Sequence, residues 1–285
     1  MASAGSAGLR RNSVLVDGVS APVLEAGDPN AAEAVVFVHG NPGSAGDWRG
    51  LAAQVGTFAR AVAPDLPGFG RADKPYDFAY SVPGYAAFLD AALDQLGVRR
   101  AHLVLHDFGG PFGLEWAAEN AERFASVVLI DTGVLPGYRG HLMAWLWATP
   151  VVGELVQFAA TPLAWRLVMA RTNPQGLPEE FVEEMVRNYD WGTRYAVLKL
   201  YRSMLRPGPR PPGARALRPL DRPALVVWGA KDPFVSVDYA ERQKEAFPRA
   251  KVVVLEDSGH WPFIDDPEAT SNAVIPFLRR QLGGR

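Results

Sequence analysis

A series of short apolar runs narrows the possible folds of this chain more than any other feature, because their hydrophobicity is continuous rather than alternating. "AVVFVHG" at 34–40, "RAVAPDL" at 60–66, "AHLVLHD" at 101–107, "SVVLIDT" at 126–132, "ALVVWGA" at 224–230 and "KVVVLED" at 251–257 are rich in Val, Leu and Ile with no polar face. A strand wet on one side alternates apolar with polar residues, so a strand without a polar side must be covered on both. Parallel sheets meet that condition, since their crossover helices pack on both faces. Two earlier runs, "SVLVDG" at 13–18 and "APVLEAG" at 21–27, are spaced to pair as a hairpin.

Helical patterns lie between several runs. Residues 81–96 carry Ser81 as an N-cap and Gly97 as a stop, and 110–120 and 238–247 are read the same way. Strands alternating with helices predict an α/β fold with a mostly parallel eight-stranded, doubly wound sheet. The alternation breaks between Val134 and Pro219, a Trp-rich stretch of helical character without strand runs. It ends in "RPGPRPPGARALRPL", read as a loop or linker. The expected organisation is a core over 1–133, an inserted helical cap over 134–219, and a return to the core over 220–285.

Composition removes several functions. Lys and Arg number 29 against 31 Asp and Glu, so no basic surface for nucleic acid is expected. There is no cysteine, which excludes disulfides, thiolate catalysis and cysteine metal sites, and fits a cytoplasmic protein. No metal or cofactor motif is present. The start, "MASAGSAGLRRNS", lacks the apolar centre of a signal peptide and is read as a flexible tail. The most apolar stretch, Leu142 to Ala170, is broken by Pro150, Glu154, Pro162 and Arg166. It falls short of the roughly 20 apolar residues of a membrane helix, so buried or half-buried helices and no membrane partner are expected.

In an open parallel sheet, ligands bind beyond the carboxyl ends of the strands. The polar residues just after each run are therefore the candidates: His39 and Asn41, Asp65, Asp107, Asp131, Asp232 and His260. In that order stand "HGNP" at 39–42, "DLPGFGRADKP" at 65–75, "LHDFG" at 105–109, "WGAKDPF" at 228–234 and "DSGHWPF" at 257–263. Over nearly the whole chain this set resembles the α/β-hydrolase family, in its aspartate-nucleophile branch of epoxide hydrolases and haloalkane dehalogenases. Leu105 departs from the small residue usual at the first position of the nucleophile turn, a departure familiar in that branch.

The resemblance implies a role for each residue. Asp107 is the nucleophile, His260 the base that activates water, and Asp232 the acid that orients His260. The backbone N–H groups of Asn41 and Phe108 form the oxyanion hole. The choice of carboxylate fits the chemistry. On an ester carbonyl it would give an anhydride; on a saturated carbon bearing a leaving group it gives an ordinary alkyl ester, which water can cleave. Asp131 competes with Asp232 for the acid's role, because the branch places that acid after either strand; "GAKDPF" favours Asp232. His39 and His106 are read as loop-bonding residues, and Asp65 as the tie of its glycine-rich turn.

The leaving group is harder to read. Tyr201, in "AVLKLYRSM", resembles the segment where epoxide hydrolases carry a ring-opening tyrosine, with Tyr138, Tyr189 and Tyr195 as candidates for a second. Dehalogenases resembling this chain bind halide with a Trp after the nucleophile and an Asn in "HGNP" or a lid Trp. Asn41 fits, Phe108 does not, and Trp147 is the lid candidate; Trp145 and Trp165 are read as core or pocket wall. Epoxide hydrolysis is the preferred reading, haloalkane or haloacid dehalogenation the alternative, and a silent hydrolase-fold binding protein a third. The expected partners are a small apolar substrate and water, with the chain a monomer or homodimer.

Overall fold

The computed structural model describes residues 8–138, 140–205 and 212–283. Eight strands form one sheet: β1 (Arg10–Val16), β2 (Val19–Ala26), β3 (Glu33–Val38), β4 (Arg60–Pro64), β5 (Arg100–His106), β6 (Phe124–Ile130), β7 (Ala224–Gly229) and β8 (Lys251–Leu255). Their spatial order is β1-β2-β4-β3-β5-β6-β7-β8. The first two strands pair antiparallel, β2 runs antiparallel to β4, and every later neighbour is parallel. The sheet is thus mostly parallel and open, as the continuous apolar runs require. Every residue of β4, β6 and β7 is buried. The edge strand β8 departs from the reading of strands covered on both faces, since its outer residues are half-buried or exposed.

Helices flank the sheet: α1 (Arg49–Val55), α2 (Val82–Gln95) and α3 (Gly109–Glu119) in the first part. The start of α2 is fixed as its sequence predicts, with Ser81 Oγ accepting the Gly84 N–H at 3.3 Å. Among the described residues, six α-helices then lie between β6 and β7: α4 (Leu142–Ala148), α5 (Val152–Ala159), α6 (Pro162–Thr172), α7 (Glu179–Asn188), α8 (Trp191–Leu205) and α9 (Ala214–Leu217). After β7 come α10 (Asp238–Arg242), α11 (Pro262–Asp265) and α12 (Pro267–Gly283).

Three expectations are corrected. Residues 10–13 are not tail but the start of β1, where Arg10 pairs with Glu25 and Asn12 with Val23; the rest of that segment, 1–7, lies outside the described residues. The helix expected over 238–247 stops after five residues and tightens into a 3₁₀ turn at Gln243–Glu245. The segment 206–220 is not wholly a loop: α9 and a 3₁₀ turn at Arg218–Leu220 occupy its second half, while 206–211 lie outside the described residues.

Register sets the candidate residues in one row. Val38 lies beside Leu105, Ile130 beside Val227, and Gly229 beside Leu255. The loops after β3, β5, β6, β7 and β8 therefore leave the same edge of the sheet. Side chains of α4, α5, α6 and α8 face that edge across from Asp107 and His260. Arg49 of α1 holds Glu184 of α7 through two hydrogen bonds of 2.7 and 2.9 Å, and Lys74 meets Asp190 at 2.7 Å.

Candidate active site

The bend after β5 is where sequence and strain meet. Asp107 has φ of +49°, in the left-handed region that costs a non-glycine residue about 1–3 kcal/mol. Neighbours hold it there. Thr132 Oγ1 donates to the Asp107 carbonyl at 2.5 Å, and the Asn41 N–H donates to Asp107 Oδ1 at 2.7 Å. Gly40 makes that approach possible, since a Cβ there would stand 2.2 Å from Asp107 Oδ1. Gly113 of α3 explains why Leu105 is tolerated where a small residue is usual. A Cβ on Gly113 would fall 2.4 Å from Leu105 Cδ2, so the missing side chain is on the helix instead of the strand.

The other two members of the expected set converge on this bend. His260 Nδ1 lies 2.8 Å from Asp232 Oδ2, and its Nε2 lies 3.5 Å from Asp107 Oδ2. Asp232 is aimed by its own loop, with Oδ1 accepting the N–H groups of Phe234 at 2.7 Å and Val235 at 3.1 Å. His106 fixes the last loop, its Nε2 lying 2.7 Å from the His260 carbonyl. Burial, reinforced by the charge of His260, lowers His106 to about 3, so it is neutral and donates that bond.

Burial opposes charge on both reacting groups, and their pairing overrides it. Burial would raise Asp107, but His260 beside it, then His106 and the Asn41 N–H, bring it down to about 2. Burial would lower His260, but Asp232 and Asp107 hold it well above the ordinary imidazole value. Asp107 is thus a carboxylate at any physiological pH, facing an imidazolium. Asp131, the competing acid, is different. Its Oδ1 accepts the Gly229 N–H at 2.8 Å, while its Oδ2 has no partner among the described residues. Burial, together with the nearby Asp232 charge, pushes it well above the carboxylate range, so it stays protonated. His260 is bonded to Asp232, not to Asp131.

Asp107 and His260 line a cavity of about 260 Å³ between the sheet edge and the inserted helices. Tyr201 and Trp147 line it as well. Tyr201 Oη accepts from Asn41 Nδ2 at 3.4 Å and so keeps its own hydrogen to donate. Burial, then the Asp107 charge, holds the phenol protonated. The buried indole Nε1 atoms of Trp147 and Trp165, which both line the cavity, have no acceptor among the described residues. Trp145 is not a wall residue as expected: it is 51% exposed on the outer side of α4.

The other tyrosine candidates are spoken for. Tyr138 donates to the Phe234 carbonyl at 2.9 Å, Tyr195 to the Tyr76 carbonyl at 3.1 Å, and Tyr189 exchanges bonds with Gln157. His141, a residue passed over in the sequence, is instead brought to the cavity. It lines the cavity and sits 5.1 Å from the Phe234 ring, itself 4.9 Å from His260. His141 Nδ1 accepts the Ala144 N–H that begins α4, so in the neutral ring the proton is on Nε2. Burial keeps it neutral. The clue in the sequence was a histidine directly before a helix start, an N-cap position that also fixes a tautomer. Phe108 packs at 5.1 Å against Tyr201, and its N–H donates no bond among the described residues. His39 Nε2 accepts the Leu66 N–H, and Asp65 accepts from Ala45 and Arg71, so both serve loops.

A family model described as the alpha/beta hydrolase fold matches residues 33–267. The chain belongs to that family. Among individual proteins, this α/β hydrolase is similar to a cis-3-alkyl-4-alkyloxetan-2-one decarboxylase of Xanthomonas campestris pv. campestris. The two are 27% identical over 92% of this chain and 93% of the relative. In structure it is similar to haloalkane dehalogenase DbeA from Bradyrhizobium elkani USDA94, with a TM-score of 0.83 and 24% identity over 97% of this chain and 100% of that one. It is also similar to epoxide hydrolase CorEH, with a TM-score of 0.80 and 18% identity over 95% and 98%. At those identities, the structural likenesses speak for the fold.

Proposed function

We propose that this α/β hydrolase opens small apolar epoxides through a covalent alkyl ester on Asp107. The observation that carries the reading is the carboxylate itself: an ionised Asp107 stands on the left-handed bend, with Nε2 of a His260–Asp232 pair 3.5 Å away.

In the first step Asp107 Oδ2 attacks a ring carbon, the C–O bond of the epoxide breaks, and its electron pair stays on oxygen. Tyr201 Oη–H, or His141 Nε2–H beside it, gives the proton to that alkoxide. In the second step His260 Nε2, as neutral imidazole, takes a proton from water, and the hydroxide adds to Asp107 Cγ. The oxyanion forms at the oxygen that already accepts the Asn41 N–H, with the Phe108 N–H as second donor. Collapse breaks the Cγ–Oδ2 bond; the departing alkoxide takes the proton held on His260, and the new carboxyl gives its proton back to the donor that protonated the first alkoxide, so that a diol leaves and the Asp107 carboxylate is restored. Alkylation removes the negative charge of Asp107, so His260 loses one of the two carboxylates that hold its proton. The base is thereby released at the stage where it is needed.

Halide release is the second reading, favoured by the unpartnered Trp147 Nε1–H in the cavity wall and the nearby Asn41 Nδ2. The name of the Xanthomonas relative specifies an oxetan-2-one, another strained oxygen ring, which supports the ring-opening reading. The test is His260→Gln incubated with a reactive epoxide. Mass spectrometry should find the substrate's full mass added on Asp107, because the ester forms and water is not activated. An unmodified Asp107 after complete mixing with epoxides and haloalkanes alike overturns the ester mechanism.

A further inference from the structure

The stretch expected to be buried or half-buried carries most of the large exposed apolar side chains among the described residues. Leu142, Trp145, Leu155, Phe158, Leu163 and Leu167, on α4, α5 and α6, are all at least half exposed. Trp191 at the start of α8 extends the face, its ring 6.3 Å from Phe158. Among the described residues, large exposed apolar side chains outside the insertion are limited to Leu15, Tyr76 and Val254. Contiguous patches of this kind mark interaction sites.

We propose that this face rests on a phospholipid bilayer, with the cavity mouth opening into its acyl region. The argument starts from charge. Between residues 140 and 170 the charged residues are Glu154 and Arg166 alone. Glu154 is neutralised by two bonds to Arg202 of 2.9 and 2.7 Å, and Arg166 lies 3.5 and 3.3 Å from Glu179 and Glu183. Neither of these two charges has to be dragged toward lipid unpaired. Among the described residues no single helix is long and apolar enough to cross a membrane, and the apolar pair α4 and α5 is bent by 115°. Exposed Trp145 and Trp191 suit the headgroup level, where indoles concentrate.

The mouth decides between lipid and a second copy of the chain. Val156, Ala159, Ala160, Ala164 and Val168 line the cavity, and each is half-buried or exposed. The opening therefore lies between α5 and α6, among the side chains of the apolar face. A second copy packed there would plug its partner's entrance. A bilayer leaves the entrance open and delivers apolar solutes from the phase where they concentrate.

The experiment is flotation of the full chain with phosphatidylcholine vesicles, with and without phosphatidylglycerol, beside the triple variant Leu155→Gln, Phe158→Gln, Leu163→Gln. None of the three lines the cavity. The wild-type chain is expected to float with both vesicles and to sediment as a monomer without them, and the variant to lose about tenfold in bound fraction while keeping its melting temperature. Flotation that fails, or that survives the triple substitution, overturns the proposal. So does a concentration-dependent dimer that the triple variant abolishes without any vesicle binding, which would give the face to a second copy. The readout needs no turnover, so it stands or falls apart from the chemistry at Asp107.

Discussion

The His260 ring bridges two carboxylates: its Nδ1 is 2.8 Å from Asp232 and its Nε2 is 3.5 Å from Asp107. Both charges favour the imidazolium, yet the second half of the proposed reaction needs imidazole. The two half-reactions should therefore differ in pH dependence. Asp107 titrates at about 2, so alkylation should stay level from pH 8 down to about pH 4. Hydrolysis of the ester needs neutral His260 and should fall about tenfold per pH unit below the histidine's value in the ester. Rapid-quench measurement of ester formation and decay separates the two. Alkylation that falls with a midpoint near pH 6 to 7 would mean His260 must be neutral before attack, and the charge-release argument would fail.

Asp131 and Asp232 occupy the two positions from which an acid can serve His260, and the ring is bonded to Asp232. Asp232→Asn should cost about 10³–10⁴ in ester hydrolysis, by loss of the tautomer and charge that orient the ring. Asp131 already carries its proton, so Asp131→Asn should change turnover less than about threefold. Its effect on stability has a definite sign. The unfolded chain releases this proton near the ordinary value of 3.8, whereas the folded chain retains it to well above that. Wild-type stability is thus lost as pH rises from about 4 through the raised value, and Asp131→Asn should remove that loss. Urea denaturation of both proteins at pH 4.5 and 8 provides the comparison; an unchanged difference between the two pH values would show that Asp131 is ionised in the fold.

In the proposed mechanism Tyr201 Oη and His141 Nε2 give a proton to an alkoxide, which a departing halide does not need. Tyr201→Phe should slow epoxide alkylation by about 10²-fold, a usual size for a general acid, and the double change with His141→Gln should slow it further. Halide release from a haloalkane should be unaffected by Tyr201→Phe and should fall with Trp147→Phe, which removes the indole N–H. Single-turnover rates for both substrate types, with each variant, sort the leaving groups. Equal losses on both substrates would remove the assignment of Tyr201 to ring opening.

How much of this was legible from residues alone follows from range. Continuous apolar runs report burial on both faces, a local property, so the strands and their mostly parallel sheet could be read directly. Asp107, Asp232 and His260 follow strand ends, so once the sheet is known their convergence is nearly forced. His141 could not be read that way. Its ring meets that of Phe234 at the cavity wall, a tertiary relation with no local signature beyond its place before a helix. The surface of α4 to α6 misled for a related reason: an apolar helix facing outward has the same composition as one facing inward, and only packing separates them. The half-exposed β8 failed the same test, since an edge strand and a central one can share the pattern "KVVVL".

The pairing of Leu105 with Gly113 is also open to test. At an exposed helical site, Gly→Ala gains about 1 kcal/mol. Here the new methyl would stand 2.4 Å from Leu105 Cδ2, with strand β5 fixed between neighbours and unable to retreat. Gly113→Ala should therefore destabilise by about 1–3 kcal/mol, as overpacked cores do. Leu105→Ala alone should cost about 2–5 kcal/mol by leaving a cavity. Combined, the two should cost less than their sum by at least about 1 kcal/mol, because the added methyl enters the space that Leu105 vacates. Strict additivity in the double-mutant cycle, measured by denaturant unfolding, would mean that Gly113 does not make room for the leucine. Activity gives an independent reading, since Leu105 stands two residues before Asp107. Gly113→Ala should lower the alkylation rate by displacing the bend, and Leu105→Ala should restore part of it.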